Sequence, residues 1–194
     1  MPTNAYIARV QVHDWSEDIG SHPVEHKTAI VRVVRTQRKL LAFVKQNSES
    51  IAAGSSGLPE RLLGFVARLF DLAGGKLRAP SWDQVRAAQD RVTAELDALL
   101  PADGGVPERV RAVEWRAQPH VLDELLTALF DERVPLDRRF EPAEALKLFL
   151  LMWVCVEVMD SNWRPRSSFQ GEPVYRYVDI APTTSLADAP DVDA

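Results

Sequence analysis

Apolar residues recur at helical spacing along most of this chain, and the spacing predicts a mainly α fold, a multi-helix bundle. From Val24 to about Ala52, Ile30, Val33, Val34, Leu40, Leu41 and Val44 fall on one side of a single long helix, about 40 Å from end to end. Pro59 opens a second helix to Ala73, with Leu62, Leu63, Val66, Leu69 and Phe70 turned inward and Gly74–Gly75 as its stop. Ser81 and Gln84 have the spacing of a capping box. The helix they start runs to Leu100 on an inner stripe of Val85, Ala88, Val92, Leu96 and Leu99, and Pro101 with Gly104–Gly105 ends it. A shorter helix covers about Pro107 to Ala117. Pro119 opens another, which buries Leu122, Leu125, Leu126 and Leu129, and a turn follows around Pro135.

Pro142 opens the last helix, to about Asp160. Glu144, Lys147, Glu157 and Ser161 fall on one side of it, but Leu151 and Val154 lie between them where a surface helix carries polar groups. Helix 142–160 is therefore expected to be covered all round, at the centre of the bundle. Ala5–His13 and Val174–Ile180 alternate between apolar and polar residues, and are candidates to pair as a small two-stranded β-ribbon formed by the termini. Two strands alone are marginal and would have to pack on the helices. Asp14–Pro23 reads as a loop, and Ala53–Leu58 as a mobile connection. Residues 1–180 read as one helical domain, and 181–194, with Asp188, Asp191 and Asp193 among prolines and small residues, as a disordered acidic tail.

The composition, 46% hydrophobic and 26% charged, is that of an ordinary globular protein. A single cysteine, Cys155, excludes an intrachain disulfide and suits a reducing compartment. The first twelve residues lack the basic-then-apolar pattern of a secretory signal. The longest apolar run, Leu148–Val156, is nine residues, and a membrane span needs about 20. The expected location is cytoplasmic, with no membrane contact.

Charge changes the picture more. Lys27, Arg32, Arg35, Arg38, Lys39 and Lys45 form a cationic run without an acid among them. On a helix all six fall within an arc of roughly 140°. The chain has net charge −5 and the run carries +6, so everything else carries −11. Such a face has three readings: it is solvated and matched by acidic helices of the same fold, it docks an acidic protein surface or a second copy, or it holds nucleic-acid phosphates. An exposed apolar residue beside the arc, such as Phe43, would mark protein docking. A second cluster, Trp163, Arg164, Arg166, Phe169, Tyr175, Arg176 and Tyr177, interleaves aromatic and cationic groups. It reads either as a base-stacking platform, with Tyr175 and Tyr177 on one face of a strand, or as a cap on the end of the bundle.

His22-Pro23-Val24-Glu25-His26 matches H-x-x-E-H. On one helix, two histidines four apart can hold zinc, with the glutamate activating water. His13, Asp14, Glu17 or Asp18 would supply a third ligand. Against this, Pro23 places His22 at a helix cap, and Glu25 suits a helix N-terminus. Cys155 is expected in the core, His120 facing solvent, and Glu157 reaching water near its helix end. There is no Walker loop, dinucleotide glycine pattern, Cys-x-x-Cys pair or G-x-S-x-G elbow. The expectation is a non-catalytic binding or adaptor protein, a subunit of a larger assembly, without cofactor, whose basic helix is its interaction surface. The alternatives are a nucleic-acid-binding subunit and a metal-dependent hydrolase built on His22, Glu25 and His26.

Overall fold

The computed structural model describes residues 4–49, 51, 57–131 and 140–181. The described chain runs α1 (Arg9–Ser21), α2 (Pro23–Thr36), α3 (Arg38–Ser48), α4 (Leu58–Ala73), β1 (Lys76–Leu77), α5 (Trp82–Ala94), α6 (Leu96–Leu99), α7 (Val106–Ala112), α8 (Pro119–Phe130), α9 (Pro142–Asn162) and β2 (Trp163–Arg164). Helices dominate, with one small antiparallel sheet.

α9 is the axis of the bundle. It packs against α3, α4, α5 and α8, and every residue from 151 to 160 is buried. Phe149 and Trp153 lie ring against ring on it, with centroids 5.7 Å apart. α2 and α3 pack on α4, while α1 bridges α2, α4 and α8. α5 begins with the expected reciprocal cap: Gln84 N donates to Ser81 Oγ and Ser81 N to Gln84 Oε1. α4 stops at Gly74 and Gly75, both at positive φ. Gly75 is also required sterically, because a Cβ there would stand 2.3 Å from the Arg164 carbonyl oxygen.

Several expectations are corrected: the helix expected to reach Leu100 breaks at Glu95 into α5 and α6, and the one expected to reach Ala117 ends at Ala112. Ala5–His13 is not a strand, because α1 starts at Arg9 and continues through the presumed loop to Ser21. Its buried positions, Arg9, Val12, Ser16, Ile19 and Gly20, have helical period and are set by packing on α8 and α4. The long basic helix is two helices broken at Gln37. There Thr36 Oγ1 turns back onto Val33 O at 2.7 Å, and the Gln37 N–H closes a tight turn on Val34 O. The small sheet forms between β1 and β2 instead of between the termini; its register pairs Lys76 with Arg164 and Leu77 with Trp163. The terminal segments do meet, at one antiparallel bridge between Tyr6 and Glu172. Residues 175–180 form no regular element and join no ladder among the described residues. The Ala53–Leu58 connection lies largely outside the described residues, as do the turn around Pro135 and residues 182–194 of the tail.

Candidate binding surface

Despite the break, all six cations of the α2–α3 run are exposed. Arg35 and Lys45 stand in the last turns of α2 and α3, where the helix dipoles favour positive charge. Arg32 reaches Asp71 on α4 at 3.1 Å. Asp71 is also bound by Arg68, so this acid is spent within the fold. Among the described residues, Lys27, Arg35, Arg38 and Lys39 form no ion pair.

The break ties this face to the sheet. Gln37 is wholly buried, and its Nε2 donates to the Arg78 carbonyl at 3.4 Å. Arg78 N continues the β1–β2 pairing by donating to Asn162 O at 3.1 Å. Residues two apart in an extended strand share a face. Lys76 and Arg78 therefore stand on one side, with Arg164 opposite Lys76, while Leu77 and Trp163 turn to the other side. Lys76, Arg78 and Arg164 are all exposed. Four residues beyond Arg78, Trp82 keeps 40% of its surface in solvent. Lys76 and Arg78 were not singled out from the sequence. The available signal was the cation–apolar–cation alternation of Lys76-Leu77-Arg78 directly after a Gly-Gly stop.

Trp163 and Tyr175 of the aromatic cluster pack into the fold, whereas Tyr177 stays exposed. Trp163 is fully buried, its Nε1 donates to Gly74 O at 2.7 Å, and its ring meets Phe70 and Phe169 edge-on. Tyr175 is half-buried and Tyr177 keeps 42% of its surface in solvent, each under an arginine. Arg116 lies over the Tyr175 ring at 4.5 Å and Arg111 over Tyr177 at 4.0 Å. Tyr175 Oη donates to Asp123 Oδ2 at 3.0 Å. These rings close the end of the bundle. Arg164, Arg166 and Arg176 remain exposed.

Beneath Tyr175 lies a largely buried ionic network. His120 is wholly buried, correcting the solvent-facing expectation, with Nε2 2.8 Å from Glu172. Burial pushes its pKa down against the pull of Glu172. Burial also raises the Asp123 carboxyl, opposed by Arg116, Tyr175 and Arg111. Arg9 binds Glu124 at 2.5 Å, and His13 Nδ1 stands 3.7 Å from the same carboxylate. Burial works to raise the Glu124 pKa, yet His13, Arg9 and Ser16 outweigh it and hold the group low. Glu157 does not reach water. It is buried at 1% exposure and 3.0 Å from Arg91, and desolvation lifts its pKa to about 7. Cys155 is in the core, its thiol pushed up by burial. The Arg9–Glu124 pair ties α1 to α8, and the Arg91–Glu157 pair ties α5 to α9.

The H-x-x-E-H letters fall at a helix junction. His22 is at once the C-cap of α1 and the N-cap of α2, with non-helical φ and ψ, so it does not share a helix face with His26. Asp18 bridges the two rings, 3.0 Å from His22 Nδ1 and 2.9 Å from His26 Nε2. Arg68 Nε donates to His26 Nδ1 at 3.1 Å, so both nitrogens of His26 are engaged. Glu25 is exposed in the first turn of α2. No three His, Cys, Asp or Glu side chains among the described residues form a group able to hold a metal ion.

Phe43 is buried beside the basic face at 5% exposure. It lines a groove of about 320 Å³ between α3, α5 and α9, together with Val92, Leu96, Leu150 and Leu151. No described helix is long and apolar enough to cross a membrane. No protein family, curated protein or solved structure matches the chain.

Proposed function

We propose that this chain is a non-catalytic, cytoplasmic binding protein, a subunit of a larger assembly, that takes an anionic partner on the cationic face of α2 and α3. One observation carries the reading. Lys27, Arg35, Arg38 and Lys39 stand exposed without an ion-pair partner among the described residues, in a chain of net charge −5 that has acids to spare for them. The neighbouring acid, Asp71, already serves Arg32 and Arg68. An acidic protein surface, a second copy of the chain or nucleic acid each supplies the matching charge. The test is retention on immobilised heparin at low salt. Wild type is retained; the triple variant Arg35→Glu, Arg38→Glu, Lys39→Glu flows through. A control with the same charge change elsewhere, Arg86→Glu, Lys147→Glu, Arg176→Glu, is retained. Wild-type flow-through, or equal loss in both variants, overturns the proposal.

A further inference from the structure

The junction of α2 and α3, flanked by Arg35 and Arg38, is tied to the segment just after β1. Through Gln37 it meets β1, where Lys76 and Arg78 share the outer side of the strand about 7 Å apart. Arg164 stands directly across from Lys76. Like charges opposite one another weaken a two-residue ladder, and no carboxylate pairs with either among the described residues. Arg166 continues the series, its guanidinium lying over Gly74. Asp71 is paired with Arg32 and Arg68, and Asp83 with Arg86. Seven exposed cations, Arg35, Arg38, Lys39, Lys76, Arg78, Arg164 and Arg166, thus lie on α2–α3 and on the ladder tied to their junction, and Trp82, four residues beyond Arg78 in the chain, keeps 40% of its surface open.

We infer that this composite surface binds single-stranded nucleic acid, the cations holding phosphates and Trp82 stacking on a base. The inference rests on the proposed anionic partner and names its class. A protein partner needs an apolar centre within a polar rim. Phe43, the apolar residue beside the basic face, is buried; the exposed valines Val10, Val174 and Val178 belong to α1 and the C-terminal segment, and Val24, exposed on α2 itself, lies at its far end, thirteen residues before Gln37. What the surface does offer is charge in rows and a flat ring, the combination that grips a phosphate backbone and an unstacked base. A duplex hides its base faces, so the ring selects single strands.

Fluorescence anisotropy with labelled oligo(dT) and oligo(U) of about 20 nucleotides, longer than common single-strand sites, tests this beside a duplex of equal length and the heparin column. The expected result is preference for the single strands, with affinity falling as salt rises. Lys76→Gln lowers the log–log salt slope by about 0.7. Trp82→Ala weakens oligonucleotide binding roughly 5- to 100-fold while heparin retention stays. Circular dichroism checks that each variant is folded. Heparin retention without oligonucleotide binding overturns this inference and leaves the anionic-partner reading standing with an acidic protein as its occupant. Loss of both removes both. Equal affinity for duplex and single strand, or an inert Trp82→Ala, overturns the stacking role.

Discussion

Lys76 faces Arg164 across a ladder only two residues long. Side chains directly opposite in an antiparallel pair have Cβ atoms about 5 Å apart, and two positive charges at that range repel. The fold tolerates the repulsion because Leu77 and Trp163, the other pair of the ladder, are anchored on the opposite face. Lys76→Glu turns repulsion into attraction. The variant is expected to gain about 0.2–1 kcal/mol in urea unfolding while eluting earlier from heparin. Loss of stability would show that the lysine serves the fold rather than the surface.

Glu157 sits 3.0 Å from Arg91 with only 1% of its surface exposed. Folded, it keeps its proton up to about pH 7, against 4.5 for an ordinary glutamate. Between those values the folded state binds more protons than the unfolded one, so stability decreases as pH rises. Its contribution is full below about pH 4.5 and lost as pH passes 7. Glu157→Gln keeps the shape without the charge. It should flatten this slope and leave the variant more stable above pH 7 by at most about 3 kcal/mol. Denaturant unfolding at pH 5, 6, 7 and 8 measures it, and parallel wild-type and variant curves would refute the assignment.

Trp163 fastens α9 to the stop of α4 through its indole N–H on Gly74 O and its ring between Phe70 and Phe169. Trp163→Ala is expected to cost about 3–5 kcal/mol. Trp163→Phe keeps much of the ring but abandons the carbonyl, and should lose less, about 1–3 kcal/mol. Thermal and urea unfolding of the pair separate packing from the hydrogen bond. Equal losses would mean that the hydrogen bond, not the ring, sets the cost.

The helices α4, α5 and α9 were legible because their signals are local: a proline at the start, glycines at the end, a reciprocal cap at Ser81, an apolar girdle around α9. α1 was not, because its helical stripe includes Arg9 and Ser16. An arginine reads as polar until Glu124, 115 positions away in sequence, turns out to neutralise it. The break at Gln37 also escaped, since neither glycine nor proline marks it and a buried glutamine amide holds it open. The basic run was visible as a string of letters and proves exposed. Its continuation through Lys76 and Arg164 depends on a register joining positions 88 apart, which no local pattern encodes. The aromatic cluster left two readings open, a stacking platform or a cap on the bundle; Trp163 is in the core and Tyr175 and Tyr177 lie under Arg116 and Arg111, as a cap requires, with Tyr177 still partly in solvent.

Residues 173–178 are fastened by side chains: Tyr175 on Asp123, Arg111 and Arg116 over the two phenol rings, and Arg9 Nε on Val178 O at 3.3 Å. An edge held this way can peel off without unwinding any helix, admitting water to Asp123 at its root. Backbone amides there should trade hydrogen for deuterium long before those of α8 beneath them, making this the seam at which the molecule first opens.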